Sequence, residues 1–140
     1  MKPEAIDSLE RSLGLQLPAA YRHTMSNYPF GADSSAAEFW LLDDPDRLLE
    51  LNRARVAAWP REYFVLGTDG GELTYLLNTA APPFPVLAFD IESGQLEPHA
   101  PSFPAFVDLL RKEMQRIEDD ERTRAEAYRN KKWWQFWIQV

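Results

Sequence analysis

Apolar residues recur at helical spacing towards both ends of the chain and at strand spacing in its middle. Ile6, Leu9 and Leu13 lie three or four apart, and Gly14 supplies a stop, which predicts a helix over residues 4–13. Leu15 and Leu17 lead to Pro18, which suits the first position of a second helix. That helix carries Tyr21 and Met25 on one face and ends near Asn27, ahead of Pro29. Residues 31–37 read as a loop, followed by a strand over residues 38–42 with Phe39 and Leu41 on one face. Asp44 then caps a third helix with Pro45 at its first position; Leu48, Leu49, Leu51 and Val56 carry it to about Ala57.

The middle of the chain reads as sheet. Phe64–Leu66 and Leu73–Leu77 are strands joined by a loop with Gly67, Gly70 and Gly71, residues that admit the positive φ of a tight reversal. This hairpin is expected at the centre of the sheet. Residues 80–85 hold three prolines and form a connection. Val86–Asp90 is the next strand, a turn with Gly94 follows, and a short strand lies near Leu96. His99, between Pro98 and Pro101, is expected in a surface loop, and His23 on a partly exposed helix face. Ser102 caps a last helix whose apolar stripe is Phe103, Phe106, Val107, Leu110, Met114 and Ile117. Past Ile117 the residues are nearly all charged to Arg124, and Glu118–Arg122 and Asp120–Arg124 stand at i,i+4 spacing. The helix therefore continues into solvent or along a partner.

Composition narrows the class. A chain of 140 residues with 45% hydrophobic and 13% aromatic content folds around one core. It is read as residues 1–110 plus a C-terminal extension, residues 111–140, that belongs to the same domain. With no cysteine there is neither a disulfide framework nor a thiolate metal site. No apolar run approaches the roughly 18 residues that span a bilayer, and no signal-peptide pattern opens the chain, so the cytoplasm is the expected compartment. Charge is uneven: residues 1–110 hold 7 lysines and arginines against 16 acids, residues 111–140 hold 8 against 6. An acidic body disfavours nucleic acid as a partner and suits either simple solubility or a basic protein.

Three of the five tryptophans fall in the last ten residues, with Trp133, Trp134, Phe136 and Trp137 beside Lys131 and Lys132. So much aromatic area packs on its own domain first, on a second copy or a partner next, and on a membrane surface last. Chemistry is scarce. Residues 67–71 lack the lysine of a phosphate loop and lead to a strand. Asp69 and Glu72 read as turn former and surface charge rather than an acid–base pair. The two histidines have no metal spacing, and no serine-nucleophile signature occurs. No catalytic residue, metal site or cofactor is assigned.

Four ordered blocks carry a family resemblance. Leu13-Gly14-Leu15-Gln16-Leu17-Pro18-Ala19-Ala20-Tyr21 resembles the amino-terminal helix pair of the SUKH superfamily. Phe64-Val65-Leu66-Gly67-Thr68-Asp69-Gly70-Gly71-Glu72 is similar to its central strand–turn–strand block. Val86–Asp90 with its Ser93-Gly94 turn, and Ser102–Leu110, resemble its later strand and closing helix. The resemblance implies an α+β fold, helices packed on a curved, mostly antiparallel sheet, here with a long C-terminal helix and aromatic tail added. It also implies a non-enzymatic binding protein: many bacterial members are immunity proteins that neutralise a toxin, often a nuclease, encoded beside them. Related fungal members regulate cell-wall synthesis as interaction hubs.

The reading is thus an immunity protein that occludes a cognate toxin, with a basic nuclease domain as the expected partner. Candidate contacts are Asp43, Asp44, Asp46, Asp69, Glu72 and Glu92, carboxylates on loops that a sheet would present. The alternative is a regulatory or scaffold module without a toxin, forming a homodimer through Trp133, Trp134, Phe136 and Trp137.

Overall fold

Every expected helix forms, and one expected strand does not. A computed structural model describes the backbone of residues 1–138 and the side chains of residues 1–131. The order is α1 (Pro3–Leu13), α2 (Ala19–Ser26), a π-helical turn (Ala36–Trp40), α3 (Pro45–Arg53), β1 (Tyr63–Thr68), β2 (Leu73–Asn78), β3 (Val86–Asp90), β4 (Gln95–Ala100) and α4 (Phe103–Ile138). The strands make one antiparallel sheet in the order β1-β2-β3-β4. The fold is α+β. The chain divides into two units, Met1–Asp108 and Leu109–Val140.

Local signals act where they were read. Gly14 sits at φ 66° and its N–H closes α1 on Glu10. Asp44 Oδ1 accepts from the N–H groups of Asp46 (2.9 Å) and Arg47 (3.4 Å), capping α3 behind Pro45. Ser102 Oγ accepts from Ala105 N–H at 3.2 Å at the start of α4. Gly94 adopts φ 69° in the β3–β4 turn.

The core of the first unit lies between one sheet face and the helices. Tyr21 of α2 stands edge-on to Phe64 (5.3 Å between ring centroids) and 5.4 Å from Phe103; Phe106 reaches Tyr75 at 5.4 Å. Ile6, Met25, Leu66, Leu77 and Val86 complete it, all fully buried. Tyr21 is so enclosed that burial, with Asp43 adding to it, pushes its phenol far above the ordinary range.

Four expectations are corrected. Residues 38–42 are not a strand: Ser34 Oγ accepts from Ala37 N–H, and the chain winds through the π-helical turn to buried Leu41 and Leu42. α3 stops at Arg53, not near Ala57, because Arg55 turns back to donate to the carbonyls of Pro60 and Tyr63. The 64–77 hairpin is not central; β1 is an outer strand, and Gly67 lies within it rather than in the turn. His99 belongs to β4, not to a loop. Its ring stacks 4.9 Å from Tyr75 and 5.8 Å from Phe106, and burial lowers its pKa.

Gly67 has a non-local reason. A Cβ there would lie 2.1 Å from the Phe39 carbonyl oxygen and 2.7 Å from that of Trp40, so only glycine lets the π-helical turn close on β1. The outer edge of β1 is consumed by this approach and by α3. Leu42 N–H donates to Leu66 O (3.1 Å), and the buried Asn52 side chain accepts from Val65 N–H (2.8 Å) and donates to Val65 O (3.1 Å).

In the second unit α4 is strongly charged. Arg116 pairs with Glu113 and Asp120, and Arg122 with Asp119; the pairs expected from Glu118 and from Arg124 are replaced by these. Side chains from Glu118 to Lys131 are all exposed. Trp133, Trp134, Phe136 and Trp137, expected to pack on the domain or on a second copy, have side chains that lie outside the described residues.

Candidate partner-binding surface

The meander places alternate turns at the same end of the sheet, so the β1–β2 turn meets the β3–β4 turn. Ile91 N–H donates to Glu72 O at 2.9 Å and ties them together. Asp69 is the turn former, its Oδ1 accepting from Gly71 (2.8 Å) and Leu73 (3.0 Å) N–H groups. Asp90 does the same for the next turn, accepting from Glu92 (2.9 Å) and Ser93 (3.4 Å). The Glu72 and Glu92 carboxyls share a hydrogen bond, which raises the Glu72 pKa; desolvation and the charges of Asp90 and Asp69 raise it further. Among the described residues no lysine, arginine or ammonium pairs with these four acids.

Three of the six predicted contact residues, Asp69, Glu72 and Glu92, are therefore brought together, with Asp90 as a fourth that sequence reading left inside a strand. The signal for Asp90 was available: in a meander, the residue ending β3 arrives beside the residue starting β2, and the register pairs Leu73 with Asp90.

Asp43, Asp44 and Asp46 occupy a different surface and mostly serve the fold. Asp43 Oδ1 receives the Met1 ammonium at 3.2 Å, which also donates to Met25 O at 2.8 Å. Asp44 is spent on the cap, and Asp46 stands exposed in the first turn of α3. Asp43 and Asp44 join Ala32, Asp33, Ala37, Glu38 and Arg47 around an open cleft of about 430 Å³.

Beside the acidic turns lies an apolar cleft that no sequence signal marked. Trp59 stands edge-on to Phe89 at 5.0 Å, and Val56, Leu51, Val65 and Ile91 complete a hollow of about 200 Å³. Arg55 orders its rim, lying 5.8 Å from the Trp59 ring while its guanidinium holds the Pro60 and Tyr63 carbonyls. Partial burial lowers the Arg55 pKa, Glu62 opposing that shift.

Among the described residues no group of three potential ligands is placed to hold a metal ion, and no helix is long and apolar enough to cross a membrane. The profile of the SMI1 / KNR4 family (SUKH-1) matches residues 1–109. No curated protein and no solved structure is significantly similar to the chain.

Proposed function

The chain belongs to the SMI1 / KNR4 family (SUKH-1), a family associated with toxin immunity, and from that premise we propose that it is an immunity protein that neutralises a cognate toxin by direct occlusion. The family match over residues 1–109 is the observation that carries this reading. The toxin is a protein encoded beside it, with a basic nuclease domain as the class best suited to an acidic partner. The binding is non-enzymatic and takes place in the cytoplasm.

Charge supports the mechanism. Asp69, Glu72, Asp90 and Glu92 crowd one end of the sheet, and among the described residues no cation pairs with them. A basic surface docking there relieves the repulsion and finds carboxylates where it would otherwise find phosphates. Asp46 offers a second, smaller contact, whereas Asp43 and Asp44 are committed to the fold.

The test is co-expression with the neighbouring toxin, followed by association kinetics of the purified pair over a salt series. Glu72→Lys with Glu92→Lys should slow association about tenfold at low salt and flatten its salt dependence. A wild-type chain that neither protects cells nor binds the toxin would sink the reading. The second reading, a regulatory module without a toxin that dimerises through Trp133, Trp134, Phe136 and Trp137, draws on the three tryptophans concentrated in the tail. A monomer by light scattering, unchanged by Trp134→Ser, would remove it.

A further inference from the structure

Both edges of the sheet are poor places for a partner strand, which leaves its faces and turns. The β1 edge is taken by Asn52 and Leu42. The β4 edge carries Pro98, which lacks an N–H, opposite Leu87, where the register slips between Val86 and Leu87. One face is filled by Tyr21, Phe103 and Phe106. On the other, α3 covers β1, while the β3–β4 side is left with apolar groups in water: Ile91 is 62% exposed and Leu96 38%, and Val56, from the connection after α3, is 42% exposed. Phe89 and Leu96 are register partners, so they share that face.

We propose that the Trp59–Phe89 cleft is the socket for one bulky apolar side chain of the toxin, flanked there by lysines or arginines that engage Glu72 and Glu92. This deepens the immunity reading and rests on it. Size and charge select this occupant. The hollow, about 200 Å³, falls below the roughly 300–1,000 Å³ of small-molecule sites and suits a single side chain. Its walls are mostly apolar, with Thr68, Thr74 and Arg55 as the polar members, and Trp59 is held edge-on to Phe89 with Arg55 near its ring, so the socket is ordered before anything enters. Ile91 joins the two chemistries: it lines the cleft, its chain neighbours are Asp90 and Glu92, and its N–H is bonded to Glu72. An apolar residue set among cations therefore meets complementary groups on both sides. An acidic or uncharged apolar segment does not.

Three synthetic peptides on one glycine–serine frame test this: a phenylalanine between lysine pairs, the same with glutamates for lysines, and the same with serine for phenylalanine. The probe is the full chain in two-dimensional NMR. The first peptide should shift the Trp59 indole N–H and the amides of Ile91 and Glu92 saturably. The glutamate peptide should leave them unmoved, and the serine peptide should bind at least about tenfold more weakly. Ile91→Ser, at an exposed position that the fold tolerates, should weaken the first peptide about tenfold without altering its salt slope. Shifts confined to Asp43–Arg47, or equal binding of the lysine and glutamate peptides, would overturn the proposal. So would concentration-dependent shifts of Trp59 without peptide, which would assign the cleft to a second copy.

The two readings fail separately. If the neighbouring toxin binds wild type and Ile91→Ser equally, the socket is wrong and immunity stands. If the lysine peptide maps to the cleft but the toxin is not bound, the socket stands and its natural occupant is another basic protein.

Discussion

The β1 side of the sheet and the β3–β4 turn side are built on opposite terms. At β1 the outer edge is taken up: Asn52 pairs both polar atoms of Val65, Leu42 takes the Leu66 carbonyl, and the Phe39 carbonyl lies where a Gly67 side chain would be. At the β3–β4 turn Ile91 and Leu96 stand in water and four carboxylates crowd together, with no cation paired to them among the described residues. A region whose groups satisfy one another is specified by the fold. A region left apolar and like-charged costs stability and is retained for something outside the domain. Substitution should separate the two regions: expensive at β1, cheap at the turn.

The largest effect is expected at Gly67. Alanine there forces the π-helical turn away from β1 and should destabilise the domain by about 3 kcal/mol or more, since the obstacle is backbone rather than a side chain that can swing aside. Chemical denaturation measures it. A loss below about 1 kcal/mol would mean that the turn and strand can part easily, and the contrast would collapse.

Asn52→Leu comes next. Leucine fits the volume but leaves Val65 N–H and C=O buried and unpaired, at about 1–3 kcal/mol for each such group. The total should be about 3 kcal/mol by denaturation, and hydrogen exchange at the Val65 amide should rise sharply. If the amide stays protected, another group pairs it and Asn52 is packing only.

How far these regions could be read beforehand follows the reach of the signals. The Asp44-Pro45 start of α3, the Gly14 stop of α1, the Ser102 cap and the Gly94 turn are local chemistry, and each appears where its residues stand. Gly67 looked like turn glycine because its true reason, the carbonyls of Phe39 and Trp40, lies far back in the chain. The alternation of Phe39 and Leu41 suggested a strand, but Ser34 starts a helical turn there and both Leu41 and Leu42 are buried. His99 looked loop-bound between two prolines, yet an outer strand tolerates Pro98. Of the contact candidates, Asp69, Glu72 and Glu92 were found as acids on turns. Their assembly depends on the meander, and the cleft beside them on α3 and the segment after it packing against β1, β2 and β3.

The smallest effect is the most telling one, because its sign is opposite to the others. The Glu72 pKa is raised, first by its hydrogen bond with Glu92, then by desolvation and by Asp90 and Asp69. A carboxyl whose pKa is higher folded than unfolded contributes fully to stability below the ordinary glutamate value. That contribution is lost as pH rises through the raised pKa, because the folded protein then holds mutually repelling charges. At pH 7 the pair therefore works against the fold. Glu72→Gln keeps a hydrogen-bond donor for Glu92 and removes the charge, so it should raise Tm slightly at pH 7, and that gain should vanish by about pH 4. Melting curves at the two pH values decide it; a gain that persists or grows in acid would refute the electrostatic account. The same variant should bind the lysine peptide more weakly. A substitution that stabilises the free protein while weakening its complex is the expected signature of a surface kept for a partner, and no β1 substitution should show it.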